Sequence, residues 1–335
     1  MVHPSYAGHP LLERVAEGRL SPAKALSLLS AGQAPRLQAA GEAGAGAPAG
    51  PGPEGSTSPR DPDSLQQVMG ELHALIGLER VKRTIEELRA YVEIRQRRSS
   101  VGLASDPLVL HMAFIGNPGT GKTTVARLVG RMFKALGVLP KGHTVEVERA
   151  DLVGEFVGHT AQRTREQIRK ALGGVLFIDE AYSLARGGDK DFGKEAVDAL
   201  VKAMEDHRHE LVVVVAGYRT EMETFLRLNP GLRSRVPILI DFPDYTGQEL
   251  LQIADQMLKA RQYRLSPEAR ERLAVLLLEE RLNELQHFGN ARLLRNILEA
   301  AVRRQAVRLQ GRSHLTVDDL MLIQAQDIPL EIPVE

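Results

Sequence analysis

The sequence predicts an α/β protein in which a parallel sheet flanked by helices is followed by a small all-helical domain. Between residues 107 and 242, short apolar segments alternate with amphipathic helical segments, which is typical of a parallel sheet covered on both faces. The segment LVVVVAG, residues 211–217, is apolar throughout, as expected for a strand buried on both sides. From Thr246 onward only helical patterns follow.

The composition predicts four units along the chain. Residues 1–32 are expected to form a short helical N-terminal extension, a small hairpin. Residues 33–63 are rich in Ala, Gly and Pro and nearly devoid of large apolar side chains, which predicts a flexible linker. Residues 64–245 are the predicted α/β domain, and residues 246–335 are the predicted helical domain.

The N-terminal hairpin is expected to begin its second helix with Ser21 as N-cap and Pro22 as the first helical residue. Its linker would give it a reach of tens of ångströms, which makes it a candidate for choosing a partner. The alternative is an appendage without a specific partner, because so few apolar residues make a marginal core.

Helix and strand boundaries follow from periodicity and capping residues. A helical segment is predicted from Leu65 to Arg97 and another from Asn290 to Leu309. Five strands are predicted within the segments PLVLHMAFIG, HTVEVE, GVLFIDE, LVVVVAG and PILIDF. Helix N-caps are predicted at Thr160, Thr246, Ser266 and Thr316.

Bulk composition excludes several classes of protein. Lys and Arg total 43, and Asp and Glu total 43, so no global positive field attracts nucleic acid or anionic lipid. The chain has no cysteine, which rules out disulfides and thiolate metal sites. The first residues lack a secretory signal pattern, and no apolar run is long enough to span a bilayer. We therefore expect a cytoplasmic protein without membrane or nucleic-acid partners.

The segment GNPGTGKT, residues 116–123, matches the phosphate-binding loop G-x-x-x-x-G-K-[ST], between a predicted strand and a predicted helix. Glycines let successive backbone N–H groups turn towards phosphate oxygens, and the following helix adds its positive N-terminal dipole. Lys122 is expected to reach the β and γ phosphates of ATP, and the Thr123 hydroxyl to hold Mg²⁺. The predicted nucleotide-binding residues are Asn117, Pro118, Gly119, Thr120, Gly121, Lys122, Thr123 and Thr124.

Two adjacent carboxylates follow the apolar strand within GVLFIDE. Ligands of open α/β sheets bind at the carboxyl ends of the strands, so Asp179 and Glu180 are expected beside the phosphate loop. Asp179 is then placed to hold Mg²⁺ and Glu180 to polarise the attacking water. These residues predict ATP hydrolysis.

The phosphate loop, the strand-borne Asp-Glu pair and a helical lid together resemble an AAA+ P-loop NTPase. Longer segments, including ERADLVGE, EAYSLARGGDKDFGKEA and GNARLLRNILE, resemble the CbbX family, which comprises red-type rubisco activases and the stage V sporulation protein K group. The likeness covers about residues 70–310 and is strongest to the sporulation protein K branch. It implies a homohexameric ring that pulls a protein client through a central pore, with rubisco as one possible client; the sequence identifies neither the client nor a part in sporulation.

The resemblance also implies roles for residues outside the phosphate site. Ile76 and Gly77, in IGLERVK, match the segment that contacts adenine. Phe156, Val157 and Gly158, in GEFVGHT, match the first pore loop, although by spacing alone Phe156 would more often be a core residue.

Five arginines and one tyrosine enter through the same resemblance. Arg235 matches the arginine finger that acts on the neighbouring subunit's γ-phosphate, with Arg233 as the alternative. Arg292 matches the second sensor in the lid, which Arg295 could be mistaken for. After the fourth strand, where many relatives carry a polar first sensor, this chain has Tyr218 and Arg219, and the sequence does not choose between them.

A protein-remodelling motor is the leading functional prediction. The alternatives are a DNA-processing or clamp-loader ATPase and a slow nucleotide-switched assembly scaffold. The balanced charge and the lack of interleaved aromatic and basic residues count against the DNA-processing class.

Overall fold

The computed structural model describes residues 64–104, 108–154, 156, 158–186, 192–283 and 288–331, together with residues 15, 20–22, 24 and 25. The helices are α1 Leu65–Ala74, α2 Glu79–Ser100, α3 Lys122–Ala135, α4 Arg149–Leu152, α5 His159–Ala171, α6 Gly193–Asp206, α7 Arg219–Leu228, α8 Pro230–Arg235, α9 Gly247–Lys259, α10 Pro267–Asn283, α11 Asn290–Leu309 and α12 Val317–Met321. The strands are β1 Met112–Gly116, β2 Thr144–Val147, β3 Val175–Ile178, β4 Val212–Gly217, β5 Ile238–Phe242, β6 Arg264–Leu265 and β7 Leu322–Ile323. Two short 3₁₀ helices span Ala181–Ala185 and Ala325–Asp327.

Strands β1 to β5 form one parallel sheet in the order β2-β3-β4-β1-β5. Strand β1 lies between β4 and β5, with Met112 opposite Val214 on one side and Ile238 on the other. The predicted α/β class is confirmed. Because all five strands are parallel, the segments that follow them meet at one edge of the sheet.

The side chains of β1 alternate between two apolar layers. Met112 and Phe114 pack in the layer with α1, α2 and α3, whereas Ala113 and Ile115 pack in the layer with α5, α6 and α7. The first layer is continuous with the core of the C-terminal helices, including Leu250. The helical domain is therefore anchored on the same core that supports β1.

The C-terminal unit, which we call the lid, consists of α9 to α12 and one short ladder. Its predicted caps are present, since Thr246, Ser266 and Thr316 each accept the backbone N–H three residues on, at 3.2, 3.1 and 3.1 Å. The expectation that strands stop at Thr246 is corrected by β6 and β7, which pair in parallel over two residues. This ladder ties the end of the chain to the loop between α9 and α10.

Two local predictions are wrong. The helix expected over Leu65–Arg97 is divided into α1 and α2 by a break at residues 75–78, where Gly77 and Leu78 adopt positive φ angles of 64° and 60°. The N-cap of α5 is Gly158 rather than Thr160, because the Thr160 hydroxyl accepts the N–H of Gly154 instead (2.9 Å).

Of the predicted N-terminal hairpin and linker, the structure describes only residues 15, 20–22, 24 and 25. The Ser21 carbonyl accepts the N–H groups of Lys24 and Ala25, both at 3.0 Å, and Pro22 is helical, as expected for a helix that starts there. Ala25 is fully buried and belongs to the main apolar cluster.

Among the described helices, none is both long enough and apolar enough to cross a membrane.

Candidate functional site

The phosphate loop joins the carboxyl end of β1 to the first turn of α3. Gly119 and Gly121 have φ angles of 70° and 95°, which a glycine adopts without steric cost. Lys122 is the first residue of α3, so the N-terminus of this helix faces the same space as the loop.

A cavity of about 730 Å³ lies at this edge of the sheet, within the size range of small-molecule sites. It is bounded by the phosphate loop, the ends of β3 and β4, the break between α1 and α2, and the lid. Of the predicted nucleotide-binding residues, those that line it are Ile76, Pro118, Gly119, Gly121, Lys122, Thr123 and Thr124. The dimensions and the loop fit a nucleoside triphosphate.

The side chains of Asn117 and Thr120 do not line this cavity. The Asn117 amide donates to both carboxylate oxygens of Asp244, at 3.0 and 3.2 Å. The Thr120 hydroxyl donates to the Asn117 carbonyl at 2.8 Å. Any contact of these two residues with phosphate therefore falls to their backbone N–H groups.

Lys122 is the buried cation of the site. Its Nζ donates to the carbonyl oxygens of Gly116 and Asn117, both at 2.8 Å. Burial lowers the pKa of Lys122 from 10.5 to about 8, although the nearby Asp179 carboxylate opposes the shift and the Arg292 cation adds to it. Because this ammonium is poorly solvated, an incoming anion gains a strong interaction with it.

Asp179 and Glu180 follow β3 and both line the cavity. The Asp179 N–H donates to the Val147 carbonyl of β2 at 2.9 Å, and its carboxylate accepts the N–H of Glu180 at 3.0 Å. Glu180 is exposed and has a φ of 45°, an uncommon conformation for a residue with a side chain. Thr123 and Asp179 present the hard oxygen ligands that Mg²⁺ prefers, so the residues at this edge fit that ion.

The structure separates the two first-sensor candidates. Tyr218, directly after β4, lines the cavity, and burial together with the Glu180 carboxylate raises the pKa of its hydroxyl. Arg219 does not line it and instead pairs with the carboxylates of Asp241 and Glu223. Only Tyr218 is therefore placed near the reacting groups.

The lid closes one side of the cavity. Ala291, Arg292 and Arg295 line it, so both arginines considered for the second sensor face the site. A Cβ on Gly119 would lie 2.4 Å from the carbonyl oxygen of Gly289. The lid backbone thus approaches the phosphate loop as closely as a glycine permits.

The break between α1 and α2 also borders the cavity. Leu75, Ile76 and Leu78 line it, and Gly77 lies between them with a Cβ position only 2.3 Å from Glu249 Oε1 of the lid. Sequence reasoning missed lid residues that also line the cavity, which are Ile253, Gln256 and Met257. The amphipathic pattern of α9 was the sequence signal that could have identified these residues.

Phe156 lies outside the core. Its side chain is 64% exposed and makes an edge contact with the His159 ring, with the centroids 5.5 Å apart. Gly158, with a φ of 83°, caps α5, and Val157 lies outside the described residues. The core placement that spacing alone favours for Phe156 is thus not observed.

Residues 152–154, which precede Phe156, are hydrogen-bonded to α5. One of these bonds is the contact from the Gly154 N–H to the Thr160 hydroxyl given above. The Thr164 hydroxyl donates to the Leu152 carbonyl at 3.1 Å, and Arg163 donates to the Val153 carbonyl at 3.1 Å.

Arg235 and Arg233 lie at the other end of the sheet. They precede β5, whose last residue Phe242 is aligned with Gly116 of the phosphate loop. Arg235 lies seven residues before Phe242, and the chain between them is mostly extended. Arg235 is therefore about 20 Å from the level of the phosphate loop. Arg233 is exposed, whereas Arg235 is partly buried and paired with Glu205.

A phosphate loop after β1, a carboxylate pair after β3 and a helical lid over the cavity define a nucleotide-binding AAA+ ATPase. Its parallel five-stranded sheet and C-terminal helical unit have the architecture of this class.

Comparison with known proteins identifies the family. The model of the ATPase family associated with various cellular activities (AAA) matches residues 112–244, and the AAA lid domain model matches residues 246–334. The chain is 52% identical over 268 residues to stage V sporulation protein K of Bacillus subtilis (strain 168), covering 80% of this chain and 83% of that protein. It is 48% identical over 246 residues to Protein CbbX of Cereibacter sphaeroides, covering 73% and 79%.

The chain belongs to the CbbX and stage V sporulation protein K family of AAA+ ATPases. It is an ATP-hydrolysing remodelling motor of that family. The solved FIGL-1 AAA domain in complex with ADP is similar in fold, with a TM-score of 0.53 at 20% identity, covering 76% of this chain and 80% of that chain.

Proposed function

We propose that this ATPase assembles as a homohexameric ring and pulls a protein client through its central pore. The observation that carries the proposal is the position of Arg235, at the end of the sheet opposite to the nucleotide cavity of its own subunit. An arginine about 20 Å from its own site completes a catalytic site only in a neighbouring copy.

Within one subunit, the phosphate loop and Lys122 bind the phosphates, and Thr123 and Asp179 hold Mg²⁺. When bound there, Mg²⁺ would supply positive charge to offset the charge of the departing phosphate. Ile76 and Gly77 contact the adenine, and Arg292 reports the nucleotide state to the lid. These assignments rest on the cavity lining and on the motifs together, except that of Gly77, which rests on its motif alone because Gly77 does not line the cavity.

Glu180 orients the attacking water and draws off its proton as the oxygen attacks the γ-phosphorus and ADP leaves. Tyr218 is the proposed first sensor, because its hydroxyl shares the cavity with Glu180. Arg235 from the adjacent subunit stabilises the charge on the transferred phosphoryl group.

Phe156 is proposed to grip the client. An exposed aromatic ring contacts a polypeptide without reading its sequence, which suits a motor with extended substrates. Gly158 and Val157 complete the proposed pore loop. The chaperone-like activity, the client's identity and the cytoplasmic location stay predictions.

The direct test is the mass of the assembly. The Glu180→Gln chain with ATP is expected to form a hexamer in native mass spectrometry, and proteins retained by that complex are candidate clients. A chain that stays monomeric with ATP, with ADP and without nucleotide, at every concentration, would overturn the ring.

A further inference from the structure

The outward-facing carbonyls of the phosphate loop are bonded to groups from outside the loop. The Tyr245 hydroxyl donates to the Thr120 carbonyl at 3.2 Å, and the Ala291 N–H donates to the Gly119 carbonyl at 3.3 Å. Tyr245 lies at the junction between the α/β domain and the lid, and Ala291 is the second residue of α11. The junction and the lid therefore both hold the loop through its carbonyl groups.

A third contact extends this set to the preceding peptide. The Asn290 amide nitrogen lies 3.3 Å from the Pro118 carbonyl, a longer contact shared with two bonds of 2.8 Å to Asp244 and Phe288. The carbonyls of three consecutive loop residues, Pro118, Gly119 and Thr120, thus each face a donor from outside the loop.

A planar trans peptide points its N–H opposite to its C=O. The carbonyls of Pro118, Gly119 and Thr120 are held by Asn290, Ala291 and Tyr245, so the N–H groups of the next residues, Gly119, Thr120 and Gly121, point away from those donors. Gly119 and Gly121 line the cavity. Successive N–H groups that converge on one space form a nest for anions.

Asn290 is itself tightly held. It is fully buried and has a φ of 47°, and its side-chain oxygen accepts the Tyr245 N–H at 3.0 Å. Asp244, which accepts from Asn290, also accepts from Asn117 and lies 3.6 Å from the Arg281 guanidinium. A left-handed asparagine with a fully bonded side chain persists only where its surroundings hold it.

We propose that Tyr245 and Asn290 are positioning residues that pre-orient the phosphate loop for the diphosphate of the nucleotide, with Asp244 holding Asn290 in place. This inference deepens the proposed function and rests on its nucleotide site. It concerns contacts within one subunit, so it does not depend on the ring. Burial and the Glu249 carboxylate raise the pKa of Tyr245 to about 12, so its hydroxyl remains a donor at neutral pH.

Tyr245→Phe removes one hydroxyl and keeps the ring. We expect inorganic pyrophosphate and ADP to bind about 2- to 10-fold more weakly, the effect of one lost hydrogen bond, while adenosine affinity stays unchanged. Tyr263→Phe in the lid, away from the cavity, is the matched control. Equal weakening of pyrophosphate and adenosine would indicate a merely structural role and overturn the proposal, as would unchanged pyrophosphate affinity.

Asn290→Gly and Asn290→Asp provide a second pair, because both replacements tolerate positive φ. Asn290→Gly removes the side-chain bonds, whereas Asn290→Asp also places a carboxylate against Asp244. We expect pyrophosphate to bind more weakly in both and most weakly in the Asp variant. If the Asp variant bound pyrophosphate as well as the unsubstituted chain, Asn290 would have no positioning role.

The native mass of the Tyr245→Phe assembly is measured in parallel. Weakened pyrophosphate binding by Tyr245→Phe, together with an unsubstituted chain that never forms a ring, would support the loop assignment and refute the proposed ring. A chain that forms a ring but whose Tyr245→Phe variant binds pyrophosphate with unaltered affinity would support the ring and refute the loop assignment.

Discussion

The Arg235 guanidinium lies 3.4 Å from the Glu205 carboxylate, at the end of the sheet away from its own nucleotide cavity. Arg235 is partly buried and Glu205 is exposed, so solvent screens this ion pair and it contributes at most about 1 kcal/mol. A phosphate group of the nucleotide bound to a neighbouring subunit can displace Glu205 from Arg235, because guanidinium–phosphate pairs are bidentate and stronger.

Arg235→Ala subunits are expected to hydrolyse ATP poorly alone and to regain activity when mixed with Lys122→Ala subunits. The second variant has a defective phosphate site but an intact Arg235, so each mixed interface can combine one good site with one good arginine. Phosphate release against mixing ratio is the measurement. Arg233→Ala is the matched control, and a larger loss there than in Arg235→Ala would transfer the role to Arg233.

Glu180→Gln is expected to bind ATP with little change and to lower the turnover number by about 10²- to 10⁴-fold, the range for loss of a general base. The amide keeps the shape of the side chain and removes its basicity. Single-turnover phosphate release and nucleotide affinity separate the two effects. Glu223→Gln, outside the cavity, controls for the loss of one charge, and undiminished turnover by Glu180→Gln would exclude the assignment.

Phe156→Ala is expected to leave ATP hydrolysis nearly unchanged and to abolish remodelling of a trapped client. The ring is 64% exposed, so its removal costs little folding stability. Leu228→Ala, at a side chain 66% exposed on α7, is the control for losing an exposed apolar group. Intact remodelling by Phe156→Ala would show that the client is moved by another surface.

ADP affinity is expected to fall as pH rises above about 8. The pKa of Lys122 is lowered to about 8, so below that pH the ammonium is already present, and above it a proton must be taken up when phosphate binds. The decline approaches tenfold per pH unit, since one proton is linked to binding. Calorimetry between pH 7 and 9.5 measures it. Lys122→Arg, which stays charged, should lack this slope, and a flat profile in the unsubstituted chain would contradict the prediction.

Gly119→Ala is expected to displace the start of α11 and weaken nucleotide binding, because the new Cβ would lie 2.4 Å from the Gly289 carbonyl. Gly137→Ala is the matched control, with the same φ of 70° but no atom within 4 Å of the added Cβ. Both variants bear the cost of a left-handed alanine, about 1–2 kcal/mol. Only Gly119→Ala should accelerate hydrogen exchange at residues 291–294, and equal exchange in both variants would count against the close lid contact.

The parts of the site predicted from sequence are those encoded by local chemistry. The phosphate loop and Asp179 carry their signal within a few residues, and the parallel sheet then brings them to one edge. Thr246 was recognised as an N-cap because its partner, Glu249, is three residues away. The prediction for Thr160 is wrong because its hydroxyl accepts the N–H of Gly154, which precedes the helix that Thr160 was expected to cap.

The junction between the domains was not predicted. Asn290 and Asp244 lie 46 residues apart, and only the folded lid brings them together. The break at Gly77 was missed for a similar reason, since the approach of Glu249 requires a glycine there and nothing within Leu65–Arg97 reveals it. Exposure of Phe156 likewise depends on how residues 152–160 pack, which periodicity does not encode.

The hydrogen bonds that hold residues 152–154 to α5 have a mechanical consequence. Thr160, Arg163 and Thr164 bind the backbone of residues 152–154, only a few positions before the aromatic ring. If Phe156 grips a client as proposed, a load on its ring would be resisted at residues 152–154, which these bonds hold to α5. The distance that a client advances would then follow the movement of α5 with its subunit.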